Sequence, residues 1–178
     1  MIDVGLLQSL SYVAAAIGVC MAAVYYIMVL RESTKNRRVT LTTTLMQSFM
    51  SDEGTRTWLE LLRIQWENFD DFVNKFDSTV NMDNFVKRTR FWNSCEVLGL
   101  QYKSKLIDFD TLYSICGTMV PQMWTKYKPI IEEYRKRGVY NRYSYANFEY
   151  LAEEMTRVME KRDPNFDQSS SYLRAPTR

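Results

Sequence analysis

Cys95 and Cys116 are, by residue type, the side chains best suited to reactivity. They lie equally far from a turn expected at residues 105–106, so an antiparallel hairpin would bring them level. Such a pair could be redox-active, or it could be two small apolar residues packed in a core. The second reading is preferred, because thiols in the cytosol stay reduced. Acids cluster at Glu67, Asp70 and Asp71, and again at Glu132, Glu133, Glu149, Glu153 and Glu154. Carboxylate bundles that hold two metals combine such acids with Glu-x-x-His pairs, and this chain has no His. Zinc and haem likewise lack a ligand set without His or Cys-x-x-Cys. No metal and no cofactor is expected, and the acids are read as solvated helix faces.

Phosphate-cradling glycine loops of the Gly-x-Gly-x-x-Gly or Walker type are missing. No Ser, Thr or Tyr stands in a Gly-x-Ser-x-Gly or Ser-x-x-Lys setting. Enzyme activity is therefore not expected. One ligand-binding candidate stands out: Asp70 beside Trp66, with Trp92 and Trp124 as further aromatic walls of a candidate pocket.

These side chains need a scaffold, and the first part of the chain shows where it sits. No charge occurs from Val4 to Leu30, and Tyr12–Leu30 is almost wholly apolar. A bilayer core of about 30 Å needs roughly 20 helical residues, so the run predicts a transmembrane helix. A cleavable leader would be shorter and would begin with basic residues. A soluble core helix would show a polar face. Arg31, Lys35, Arg37 and Arg38 crowd its C-terminal end, whereas Asp3 is the only charge before it. The positive-inside rule then puts the N-terminus outside and the bulk of the chain in the cytoplasm, with those four cations as topology anchors. Tyr25 and Tyr26 suit the inner interface, and Cys20 falls within the lipid span. Ala14, Gly18 and Ala22 recur every four residues, a small-residue stripe of the kind that lets membrane helices pack closely. The expected partners are the lipid bilayer and either a second copy of the chain or another membrane subunit.

After Leu30, Lys and Arg (23 in the chain) nearly balance Asp and Glu (21). The surplus is too small and too scattered for nucleic-acid binding. Short basic groups such as Lys87, Arg88 and Arg90 read as solvated helix faces. Residues 39–50 are Thr-rich and read as a helical continuation or a strand. Apolar residues at three- and four-residue spacing predict helices over Glu53–Phe76, Asp83–Lys103, Asp108–Tyr134 and Ser144–Lys161. Ser51 with Asp52, and Asp108, are candidate N-caps. Pro121 and Pro129 should kink the third of these helices. Aromatic residues make up 14% of the chain, enough to build a core without disulfides or metal.

The expected fold class is all-α: a single N-terminal transmembrane helix followed by an antiparallel bundle of about four to five helices. The expected divisions are 1–33 as anchor, 34–50 as juxtamembrane segment, 51–162 as cytoplasmic bundle and 163–178 as flexible tail. The Arg31–Arg38 junction, Gln65-Trp66 with Phe69-Asp70-Asp71-Phe72, Trp92-Asn93, Leu106-Ile107-Asp108, Trp124 with Lys126–Ile131, and Phe148–Leu151 carry a resemblance. Over roughly residues 10–160 the chain resembles a group of uncharacterised archaeal proteins with one N-terminal membrane helix and a cytoplasmic all-helical domain. That resemblance implies architecture and no activity. The reading that follows is a membrane-anchored, non-catalytic interaction or accessory protein at the cell membrane. The alternatives are a membrane-tethered sensor or small-molecule binder, and an enzyme of unrecognised type.

Overall fold

The structure, a computed structural model, describes residues 4–164. The tail beyond Pro164 lies outside the described residues. Seven helices and no strand occur among them: α1 Val4–Met50, α2 Asp52–Arg63, α3 Phe69–Phe76, α4 Met82–Lys103, α5 Phe109–Cys116, α6 Met119–Lys136 and α7 Ala146–Arg162. The chain divides into two compact units, Met1–Leu41 and Thr42–Arg178.

Helix α1 runs straight through the Thr-rich stretch, so residues 39–50 are helix and not strand. No Gly or Pro occurs between Gly18 and Met50 to break it. Thr34 and Thr40 bond back to the carbonyls of Leu30 and Asn36, at 2.9 and 3.0 Å, so their hydroxyls are satisfied within the helix. The helical unit begins at Thr42, within α1. Phe49 in its last turns is buried and meets Phe91 edge-to-face at 5.6 Å.

Two long helices expected from periodicity are each broken in two. Arg63 ends the first. Asn68 starts α3 by accepting the Asp71 N–H at 3.0 Å, while the Asp71 carboxylate reaches back to the Glu67 N–H at 2.9 Å. The two bonds together cap a new helix start, the Asp71 carboxylate taking the N–H one residue before the cap. The second break falls at Gly117, whose φ of 47° lies in the region that favours glycine. Pro121 therefore sits in the first turn of α6, where its missing N–H costs no helical bond; Pro129 lies inside that helix. Ser51 and Asp108 cap α2 and α5 as expected, accepting the N–H groups of Gly54 and Thr111.

Helix α4 is the common element of the helical unit, packing on α2, α3 and α7, while α6 packs on α2, α3 and α7. Its inward side carries Arg88, Trp92, Cys95 and Gly99, all buried. Gly99 is required by geometry, because a Cβ there would fall on the Asn147 carbonyl of α7. At the same crossing the Glu96 carboxylate accepts from the Phe148 N–H and the Asn147 side-chain amide, both at 2.8 Å. Helix α7 has no cap from its own N-cap residue, Tyr145, whose φ is 63°; a carboxylate from α4 does that work at the positive end of its dipole. We predict that Gly99→Ala lowers unfolding stability by about 3 kcal/mol through backbone overpacking. Gly18→Ala, which meets open space, should leave it unchanged; denaturant titration of the full chain followed by circular dichroism checks both.

Candidate functional site

The aromatic core accounts for most of the residues singled out as a pocket. Trp92 is fully buried and Trp66 half-buried, and both pack on Tyr127, with ring centroids 5.2 Å away in each case. Trp124 lies elsewhere in the core, edge-to-face with Phe148 at 5.1 Å. Asp70 is exposed on α3 and pairs with Arg137 at 3.0 Å. The structure thus joins Trp66 to Trp92 through the Tyr127 ring, while Trp124 and Asp70 have other neighbours.

Charges inside this core hold helix ends. Arg88 is 0% exposed, not solvated as its sequence neighbours implied. Its guanidinium donates to the Phe76 carbonyl at 2.7 Å, at the C-terminus of α3, and lies 4.6 Å from the Phe72 ring centre and 5.0 Å from that of Phe85. A cation at a helix C-terminus, faced by aromatic rings, is electrostatically favoured there. Lys126 is placed the same way at the end of α2, donating to the Leu62 and Ile64 carbonyls at 2.8 and 2.6 Å with the Trp66 ring 4.7 Å away, but there burial outweighs these contacts and disfavours the charged form. Tyr127 adds a bond to the Leu61 carbonyl at 2.9 Å. Arg135 bonds to the Ser144 carbonyl and to Glu149, tying α6 to the start of α7.

Among the described residues, the core thiols are buried and most of the clustered acids are ion-paired. Burial pushes the Cys95 thiol well above its ordinary value, with Cys116 and Glu96 adding to the rise, and pushes Cys116 to about 12. Both thiols stay protonated and unreactive at neutral pH. Asp71 pairs with Lys75, Glu132 with Lys128, Glu133 with Arg137, Glu149 with Arg135 and Glu154 with Arg157. Among the described residues, no group of three His, Cys, Asp or Glu could hold a metal ion.

The outward side of α4 is different. Successive residues advance by about 100°, which puts Met82, Val86, Asn93, Val97 and Leu100 in one sector of about 60°, opposite Arg88 and Trp92. No charged side chain falls in that sector. Met82, Val86, Val97 and Leu100 are 59%, 53%, 48% and 53% exposed. Beside this strip, a recess of about 200 Å³ lies among Phe49, Gly54, Val86 and Phe91, rimmed by Glu53, Lys87 and Arg90. Glu53 pairs with Arg90, and Lys87 with Glu60 and Asp83. Sequence reasoning missed this face by assigning α4 one apolar side. The signal was present: apolar residues on two sides mark a helix that must be covered on two sides.

In the other unit, Leu10–Arg37 is long and apolar enough to cross a membrane and is exposed along its length. Ala14, Gly18 and Ala22 lie on it, all exposed, and nothing stands near Gly18. Arg31, Lys35 and Arg37 are exposed at its C-terminal end; the Arg38 side chain lies outside the described residues.

A family model, "Domain of unknown function (DUF4760)", matches residues 12–155, and the chain belongs to that family. The match takes in most of the apolar helix together with α2 to α6 and much of α7. No curated protein and no solved structure matches the chain.

Burial pushes the Lys126 ammonium down to about 8, and pushes Tyr140 up to about 12. Between pH 8 and the ordinary lysine value of 10.5, the unfolded chain therefore binds the extra proton at Lys126. Lys126 therefore makes stability rise with pH from about 8 to the ordinary thiol value of 9; above that the unfolded chain gives up the Cys95 and Cys116 protons that burial retains in the fold, which outweighs Lys126, and stability should fall. Above about pH 10 the unfolded chain also loses phenolic protons first, and the fall steepens. Urea titrations between pH 7 and 11 check this, and Lys126→Met should remove the rise while keeping the fall.

Proposed function

We propose that this protein is a membrane-anchored, non-catalytic accessory protein that presents its helical domain to a protein partner on the cytoplasmic side. The observation that carries the reading is the uncharged outward face of α4. An exposed apolar strip bordered by charged residues suits a docking surface. The apolar helix Leu10–Arg37 supports the anchor, and the cations Arg31, Lys35, Arg37 and Arg38 after it support a cytoplasmic domain by the positive-inside rule. The small-residue stripe at Ala14, Gly18 and Ala22 supports close packing with another membrane helix. Charges that cap helix ends give the domain a rigid form suited to presenting a surface.

Ligand sensing would need an enclosed chamber. The recess beside α4 holds about 200 Å³, and the groove of about 600 Å³ over Thr44, Val86, Asn93 and Val97 is open to solvent, whereas small-molecule sites bury most of their ligand. An enzyme would need convergent, unpaired polar groups, and most of the clustered acids (Asp70, Asp71, Glu132, Glu133, Glu149 and Glu154) are engaged with cations.

Purification of the full chain from its own membranes in mild detergent tests the reading. The expected result is a stoichiometric protein partner, retained by the wild type and reduced about tenfold in a Val86→Lys, Val97→Glu variant. A chain that emerges alone, or an identical set of proteins with both forms, contradicts it.

A further inference from the structure

Where its apolar run ends, α1 has two unlike faces. Ile27, Leu30, Arg31, Thr34 and Lys35 follow one another at three- and four-residue steps and line one shallow, open recess along the helix. Val29, Glu32, Ser33, Asn36, Arg37 and Thr40 line another, centred on the opposite side. The first face is apolar in its lower half, where Ile27 and Leu30 are 50% and 49% exposed. Its upper half is cationic, with Arg31 and Lys35 both exposed, and it holds no acid. Glu32 stands on the other face, and among the described residues neither Arg31 nor Lys35 is paired with a carboxylate. Exposed cations of the helical unit differ: Glu60 and Asp83 neutralise Lys87, and Asp70 and Glu133 neutralise Arg137. The Thr34 hydroxyl is committed to the Leu30 carbonyl at 2.9 Å, so Arg31 and Lys35 supply the donors available on this face.

We infer that this face of α1 seats a phospholipid with an anionic headgroup, its phosphate on Arg31 and Lys35 and its acyl chains on Ile27 and Leu30. The inference goes beyond the proposed accessory function and rests on it only for the membrane anchor. Arg31 and Lys35 are about 6 Å apart along the helix axis, so two long side chains can reach one phosphate. Leu30 is the last residue of the uncharged run, which puts Arg31 at the depth where hydrocarbon gives way to headgroups. Apolar and cationic groups thus follow one another in the order of a lipid's own chemistry. A free phosphate would use only the upper half, in water whose salt screens it; a lipid uses both halves. Two cations without an acid leave a positive charge that a zwitterionic headgroup does not neutralise, and that selects an anionic one. Each such cation favours anionic lipid by about fivefold. On the opposite face Glu32 offsets Arg37, so the selectivity belongs to one side of the helix.

The test reconstitutes the full chain in vesicles of equal phosphatidylcholine and phosphatidylglycerol, extracts it in mild detergent and counts retained lipids by native mass spectrometry. Both leaflets have the same composition, so the orientation of the chain does not enter. The expected result is one phosphatidylglycerol retained at least about fivefold more often than phosphatidylcholine. Arg31→Gln with Lys35→Gln should bring the two lipids to parity, Arg37→Gln should keep most of the preference, and excess inorganic phosphate during extraction should leave it in place. Equal retention of both lipids by the wild type overturns the inference. So does a loss as large in Arg37→Gln as in the double variant, or displacement by phosphate. Flotation of the vesicles after a carbonate wash separates the two failures: a chain that floats without lipid preference loses this site and keeps its anchor, whereas a chain washed off the vesicles loses both.

Discussion

Helix α4 carries apolar residues on two opposite sides, and this constraint governs the helical domain. Its inner side cannot be covered by apolar contact alone, because Arg88 and Gly99 interrupt it. Each interruption is used. Gly99 lets the α7 backbone come close, and Arg88 brings a full charge to the C-terminus of α3. A buried guanidinium without hydrogen bonds would cost several kcal/mol; Nη1 bonds to the Phe76 carbonyl and the rings of Phe72 and Phe85 face the charge, while Nε and Nη2 are buried without a hydrogen-bond partner, so the cost is met only in part. The same logic recurs at Lys126 on α2 and at Glu96 on α7. Helix ends in this domain are held by charges from neighbouring helices, so the ends and the packing are specified together.

Much of this was legible in the sequence, and the rest was hidden for physical reasons. The apolar run before Arg31, the all-helical character and the caps at Ser51 and Asp108 follow from local chemistry. The breaks at Asn68 and Gly117 were missed because apolar spacing continues across both, so periodicity alone reads through them. Asn68-x-x-Asp71 is in retrospect a cap signal of the same kind as Ser51. Arg88 was read as solvated because its neighbours Lys87 and Arg90 are surface residues; its burial depends on α3 and α6, which no local window contains. The Trp66, Asp70, Trp92 and Trp124 set was proposed from aromatic and acidic character. Its aromatic members pack into the core, and Asp70 pairs with Arg137 at the surface.

These features give the protein a coherent physical character. Both core thiols are buried, and most of the clustered acids pair with cations. Charged side chains from neighbouring helices hold several helix ends. The outward side of α4, with the small recess toward Phe49 and Phe91 and the groove it forms with Thr44, is an exposed, largely apolar surface. Joined to an apolar helix long enough to cross a bilayer, such a surface suits a protein whose work is to hold something at the membrane. The family match runs through both the apolar helix and the helical domain, so the two belong to one unit of descent.

The central claim is that the outward face of α4 is covered in the native membrane. Hydroxyl-radical footprinting of intact membranes, compared with dilute detergent-solubilised chain, measures it directly. Protection of Met82, Val86, Val97 and Leu100 in the membrane, lost on solubilisation while Tyr143 reacts equally in both, is the predicted result. Equal oxidation of those four side chains in both states would contradict it.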